Sequence, residues 1–222
     1  MNTRTQLFPS SLSDAVTRPE PVPAPPCSWR DAAPVLTGEH CALRELQVAD
    51  APLLVPVLTD PEVMRFMSPP PATVERFAWF IDWSRREREA GRYLAFALVP
   101  HAQPTTPVGL LQLRQLEPEF RTAEWGVAMA SQYWGAGLFL DASRLLLEFA
   151  FTRLGVHRLE ARAAVANGRG QAAMHKLGAV QEGVLRRSLA TSDGQRLDQV
   201  LWSVLDEDWR RLNVQPGIVL VH

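Results

Sequence analysis

A chain of 222 residues with 46% hydrophobic and 21% charged side chains has the composition of a globular domain near the upper end of single-domain length. Its formal net charge of −1 offers no general attraction for polyanions, which argues against nucleic acid as the main partner. No run approaches the roughly 18 uninterrupted apolar residues of a membrane-spanning helix, no basic stretch followed by an apolar run marks a signal peptide, and Cys27 and Cys41 are too few for a disulfide framework or a thiolate zinc site, so the expectation is a cytoplasmic protein without metal.

Residues 1–34 carry Pro9, Pro19, Pro21, Pro23, Pro25, Pro26 and Pro34 and no apolar periodicity, which predicts a disordered arm, with local docking open to Cys27-Ser28-Trp29. From Leu36 to Leu46 the pattern predicts a first strand that turns at Gly38. Asp50-Ala-Pro52 opens a helix to Leu58, and Asp60-Pro61 starts a second, short helix that Pro69-Pro70-Pro71 ends. Thr73 caps a helix from Val74 to Ala90 that buries Phe77, Phe80 and Ile81 and exposes the charges from Arg85 to Glu89. Strands are predicted at Tyr93 to Val99, Val108 to Leu116 and Thr122 to Ala130, an antiparallel meander. A helix follows from Leu138 to Leu154, then a strand from Val156 to Val165 and a short helix from Asn167 to Leu177. Val184 to Ala190 and Arg196 to Leu205 form a hairpin around Asp193-Gly194, and a helical turn from Asp206 closes the domain at residue 212, leaving 213–222 as a tail.

The stretch Ser131-Gln132-Tyr133-Trp134-Gly135-Ala136-Gly137 joins a strand to an amphipathic helix. Such a loop aims unpaired backbone N–H groups and the positive end of the helix dipole at one point, which suits an anion. The spelling excludes a P-loop, because Gly137 is followed by Leu138 rather than Lys, and it departs from the dinucleotide fingerprint, whose third glycine falls on Leu140.

What remains, Gln132-x-x-Gly135-x-Gly137, resembles the acetyl-coenzyme A loop of the GNAT N-acetyltransferase superfamily. Leu43-Arg44-Glu45-Leu46, Asp60-Pro61-Glu62-Val63-Met64, Ala123-Glu124-Trp125-Gly126-Val127, Tyr133-Trp134-Gly135, His157-Arg158-Leu159-Glu160, Asn167, Lys176-Leu177-Gly178 and Glu182-Gly183 are similar to the branch that acetylates the N-termini of ribosomal proteins, over about Leu36 to Arg210. The resemblance implies an α+β fold: a mostly antiparallel sheet of about seven strands, flanked by helices and splayed between the fourth and fifth, in a domain spanning 35–212. It further implies acetyl-CoA as co-substrate, its arm along the backbone of Val127, Ala128 and Met129. The diphosphate would lie on Gln132, Tyr133, Trp134, Gly135, Ala136, Gly137 and Leu138, with Asn167 bonding the arm. Asn167 is equally a good helix cap.

Transfer of an acetyl group to an amine needs the amine deprotonated and the oxyanion stabilised. Glu124 is the first candidate base, on a strand face shared with Gly126 and Ala128, which leave room for a ligand. Its other reading is a carboxylate paired with Arg121 or a neighbouring strand. Glu160 is the second candidate, with an ion-pair ladder to Arg158 and Arg162 as its other reading. The family's usual serine and tyrosine acids correspond to Gly170 and Met174, and a carboxylate on the penultimate hairpin falls near Leu189, so the familiar groups are missing. His175, Tyr133 and Ser188 are further titrating or hydroxyl groups. The acceptor is then a protein N-terminus or a small-molecule amine, in a chain that is a possible homodimer. A non-catalytic acyl-CoA sensor is the reading from a different class, and a dinucleotide-binding protein a more distant one.

Overall fold

The computed structural model describes residues 28–213. The first expected strand is in fact a hairpin, β1 (Leu36–Thr37) and β2 (Cys41–Glu45), so the sheet has eight strands rather than about seven. Its tight turn has a distant cause. Asp141, in the first turn of a helix about a hundred residues later, accepts the backbone N–H groups of Glu39, His40 and Cys41 at 3.3, 2.8 and 3.1 Å. A Cβ on Gly38 would stand 2.6 Å from that carboxylate, so a larger residue there would push it off the N–H groups it holds.

The helices α1 (Ala51–Leu58), α2 (Pro61–Met64) and α3 (Val74–Glu89) follow. Asp60 Oδ1 accepts from the N–H groups of Glu62 and Val63 at 2.9 and 3.3 Å, and Thr73 Oγ1 from Arg76 at 3.3 Å, the N-cap chemistry that the sequence predicts. The charge run at the end of α3 is not wholly exposed: Arg88 is buried, paired with Glu45 at 2.7 Å and donating to the carbonyl of Arg30. Within the stretch read as arm, Trp29 packs edge-to-face on the buried Phe120, ring centroids 5.4 Å apart. Residues 1–27 and the tail from 214 lie outside the described residues.

Strands β3 (Tyr93–Pro100), β4 (Gly109–Gln115) and β5 (Thr122–Met129) continue the antiparallel meander. Helix α4 (Leu138–Thr152) returns the chain to β6 (Arg158–Ala164), parallel to β5 as a strand-helix-strand unit requires. Helix α5 (Gly168–Lys176) leads to the hairpin of β7 (Val180–Ala190) and β8 (Arg196–Leu205), with α6 (Asp206–Asn213) last. The sheet order is β1-β2-β3-β4-β5-β6-β8-β7, so β7 is an edge strand; it starts four residues earlier than the periodicity suggests and carries two register irregularities.

Two apolar layers sandwich the sheet. On one face Leu43, Phe96, Leu111 and Trp125 meet Leu146 and Phe149 of α4; on the other Tyr93, Ala95 and Ala97 meet Leu54 of α1 and Phe77 and Ile81 of α3. Covered on both faces, β3 is buried along its whole length. The decisive feature is the β5/β6 pairing, which holds only for Thr122 to Glu124 against Arg158 to Glu160. Beyond Glu124 the two strands part, leaving the backbone edge of β5 from Trp125 to Met129 without a strand beside it.

Candidate active site

The opening between β5 and β6 widens into a cleft of about 350 Å³. Val127, Ala128 and Met129 form one wall, Asn167 to Gly170 at the start of α5 another, and Trp134, Gly135 and Phe139 the floor toward α4. A third wall comes from Glu62, Val63, Arg65, Phe66 and Met67, on α2 and just after it.

The glycine loop has the backbone that anion binding requires. Gly135 and Gly137 stand at φ 84° and 82°, and Gly137 is the residue before α4. Nothing lies within 4 Å of where a Gly135 Cβ would be, and at Gly137 only His40 comes that close, at 3.9 Å. The N–H groups of Gly135, Ala136 and Gly137 donate to no other described residue. The cradle is narrower than the sequence implies, since the N–H groups of Tyr133 and Trp134 are already engaged, by Ala130 and Ser131 carbonyls at 3.1 and 3.0 Å. Trp134 closes the loop over β5: its indole N–H donates to the Met129 carbonyl at 3.0 Å. Across the cleft, the Arg169 guanidinium stacks over the same indole at 4.1 Å.

Of the residues assigned to the cofactor, Val127, Ala128, Met129, Trp134, Gly135 and Asn167 line this one cleft. Gln132, Tyr133, Ala136, Gly137 and Leu138 do not, though Ala136, Gly137 and Leu138 carry the loop into α4. The Leu138 side chain is in the core, and the Tyr133 hydroxyl donates to Gln103 at 3.1 Å. Asn167 caps α5, its Oδ1 accepting the Gly170 N–H at 2.9 Å, and still faces the cleft.

The two candidate bases lie elsewhere. Neither Glu124 nor Glu160 lines the cleft. Glu124 is ion-paired with Arg114, its cross-strand partner on β4, and stands 3.8 Å from Arg162 on β6. The room expected over Gly126 is filled: a Cβ there would meet Gln112 Nε2 at 3.3 Å. Glu160 pairs with Arg158 at 3.0 Å, and Arg158 also binds Glu182, whose carboxyl is pushed down to about 2 by that guanidinium and by the Ser203 hydroxyl at 2.7 Å. His175 packs edge-on against Trp202 at 4.7 Å, and the Ser188 hydroxyl lies within hydrogen-bond reach of the Leu185 carbonyl and the Gln199 side-chain oxygen, at 3.0 and 2.9 Å. Met174 is buried. None of these lines the cleft.

The residues that sequence reasoning left out are the α2 wall, Phe139 and Arg169. Asp60-Pro61 is legible as a helix start, but nothing local says that the helix faces residues over sixty positions away.

A parallel strand pair opened at its end, with a left-handed glycine loop below the opening, matches a known family. Residues 40–180 match the model of the acetyltransferase (GNAT) domain. The chain belongs to the GNAT acetyltransferase family. It is 27% identical over 178 residues to YdaF of Bacillus subtilis (strain 168), a ribosomal N-acetyltransferase by name, with 78% of this chain and 94% of that one covered. A crystal structure from T. thermophilus, an acetyltransferase by name, is 31% identical with a TM-score of 0.66, covering 80% of this chain and 92% of that one. Mycobacterium smegmatis RimJ in complex with CoA-disulfide shares the fold at a TM-score of 0.71 and 22% identity, covering 79% and 88%. This GNAT chain is therefore an acyltransferase, and its eight-stranded open sheet is the family fold.

Proposed function

We propose that this GNAT protein transfers the acetyl group of acetyl-CoA to the α-amine of a protein N-terminus. The observation that carries the reading is the cleft itself, in which the unpaired edge of β5, the open glycine loop and Asn167 converge. The residues fit the co-substrate. The free N–H groups of Gly135, Ala136 and Gly137 sit at the N-terminal end of α4, where a diphosphate is stabilised by both hydrogen bonds and the helix dipole. Arg169 adds a permanent positive charge at the same mouth. An extended arm is held by the strand edge from Val127 to Met129 much as a sheet edge accepts another strand, and backbone N–H groups there are the donors for the oxyanion.

A protein acceptor is favoured by a second cleft of about 460 Å³, lined by Met64, Thr191 to Asp193 and Leu197, which meets the first at Arg65, Phe66 and Ala166. A second cleft adjoining the reaction cleft across these shared residues suits a chain end better than a compact amine. The name carried by YdaF points to the same acceptor class. Incubating the protein with acetyl-CoA and a panel of peptides and small amines, and following free thiol, tests this. Thiol release with free N-termini and none with N-acetylated peptides is the expected result. Release with small amines alone would make it a small-molecule enzyme, and binding without release a sensor.

A further inference from the structure

At neutral pH an α-amine, with a pKa of about 8, arrives mostly as a cation, so transfer needs a proton acceptor inside the cleft. Both acidic residues on the β5/β6 strands are committed to arginines outside it. Resting on the acetyl-transfer reading, we propose that Glu62 is the catalytic base, holding the acceptor's ammonium and taking its proton.

Glu62, an exposed residue in the first turn of α2, is the one acidic residue among the described residues lining the cleft. Its carboxylate makes no ion pair or hydrogen bond with any described residue. The backbone that carries it is fixed, because Asp60 holds the N–H groups of Glu62 and Val63. Its place is also the right one for an arriving amine. Pro61 and Met64 of α2 line the second cleft while Glu62 and Val63 line the first, so α2 is the partition that an acceptor passes. The other charged groups lining the cleft are Arg65 and Arg169, each directed at an aromatic face, Arg65 over Phe66 at 5.1 Å and Arg169 over Trp134 at 4.1 Å. Neither neutralises Glu62, and both keep their charge across the working pH range.

The step balances without another reagent. Glu62 takes one proton from the ammonium, and the freed lone pair attacks the thioester carbonyl. The C–N bond forms, the nitrogen, now cationic, gives its second proton to solvent water, and the C–S bond breaks with the electron pair going to sulfur. The departing thiolate takes a proton from solvent, which its pKa near ambient pH permits.

The test uses full-length protein, a panel of hexapeptides differing in their first residue, and the variants Glu62→Gln and Glu62→Asp. With the best peptide, Glu62→Gln should lose roughly 10²- to 10⁴-fold in kcat, as expected for a lost general base, and raise the peptide KM. Its acetyl-CoA affinity by calorimetry should stay within about twofold, which also reports a folded cleft. Its residual rate should climb with pH up to about 8, following the amine's own deprotonation, whereas wild type reaches its plateau earlier. Glu62→Asp should recover part of kcat. Wild-type turnover with a Glu62→Gln rate and pH profile like wild type overturns Glu62 alone. A wild type that binds acetyl-CoA yet acetylates no peptide overturns the peptide-acceptor reading, and the base proposed for that acceptor with it.

Discussion

The carboxylate of Asp141 and the backbone of His40 are joined by a 2.8 Å hydrogen bond that ties the start of α4 to the β1/β2 turn. The same side chain takes two more backbone N–H groups and the Cys41 thiol at 3.4 Å. Partial burial pushes the Asp141 carboxyl up, but these hydrogen bonds outweigh it and hold it below the usual range. Because the folded value is depressed, the stabilisation is fully present above the ordinary carboxylate pKa of about 4 and disappears as pH falls through the depressed value. Asp141→Ala should cost about 2 kcal/mol at pH 7. Urea titrations at pH 7 and pH 3 should show the gap between variant and wild type narrowing at the lower pH; a gap of constant size would refute the assignment.

A second prediction concerns Gly137. Its φ of 82° is one that a β-branched residue adopts only with strain, and its Cβ position faces the open loop. Gly137→Val should weaken coenzyme A binding at least about tenfold by calorimetry. Unchanged affinity in a folded variant would remove the loop from the phosphate site.

Trp29 tests where the folded domain starts. Its edge-to-face contact with Phe120 belongs to a patch that also holds the Arg88 to Arg30 hydrogen bond. Trp29→Ala should lower stability by about 1–3 kcal/mol, the worth of an aromatic pair plus lost burial. A melting midpoint equal to wild type would mean that the segment merely rests on the domain.

The network of Arg158, Glu160 and Glu182 offers a salt-dependent control. Arg158 and Ser203 hold the Glu182 carboxyl at about 2, and its side chain is partly exposed, so its contribution is present at neutral pH, lost as pH falls toward that value, and screened by salt. Glu182→Gln should therefore cost at most about 1 kcal/mol at low ionic strength and less in molar salt. Chemical denaturation of wild type and variant at both salt concentrations checks it; a loss that grows with salt would contradict an ion-pair origin.

Much of this molecule is written locally. Asp60 and Thr73 cap their helices, Asp193-Gly194 turns the last hairpin, and Gly135 and Gly137 mark the loop, because caps and positive-φ glycines act within a few residues of themselves. Alternating Ala123, Trp125 and Met129 already declares which face of β5 is core. Those features were enough to place the loop between strand and helix and to suggest the family. Tertiary structure alone decided what each charge faces. Glu124 looks free on its strand until register sets Arg114 opposite it, and Gly126 looks open until Gln112 lies across it. Gly38 turns where it does because Asp141 reaches it from α4. Likewise Glu62 reads as an ordinary first-turn acid, and only the parting of β5 from β6 opens the cleft that α2 then walls. Propensity and periodicity are properties of neighbouring residues, whereas a site assembled from residues 62, 129, 135 and 167 depends on pairing and packing across the whole chain.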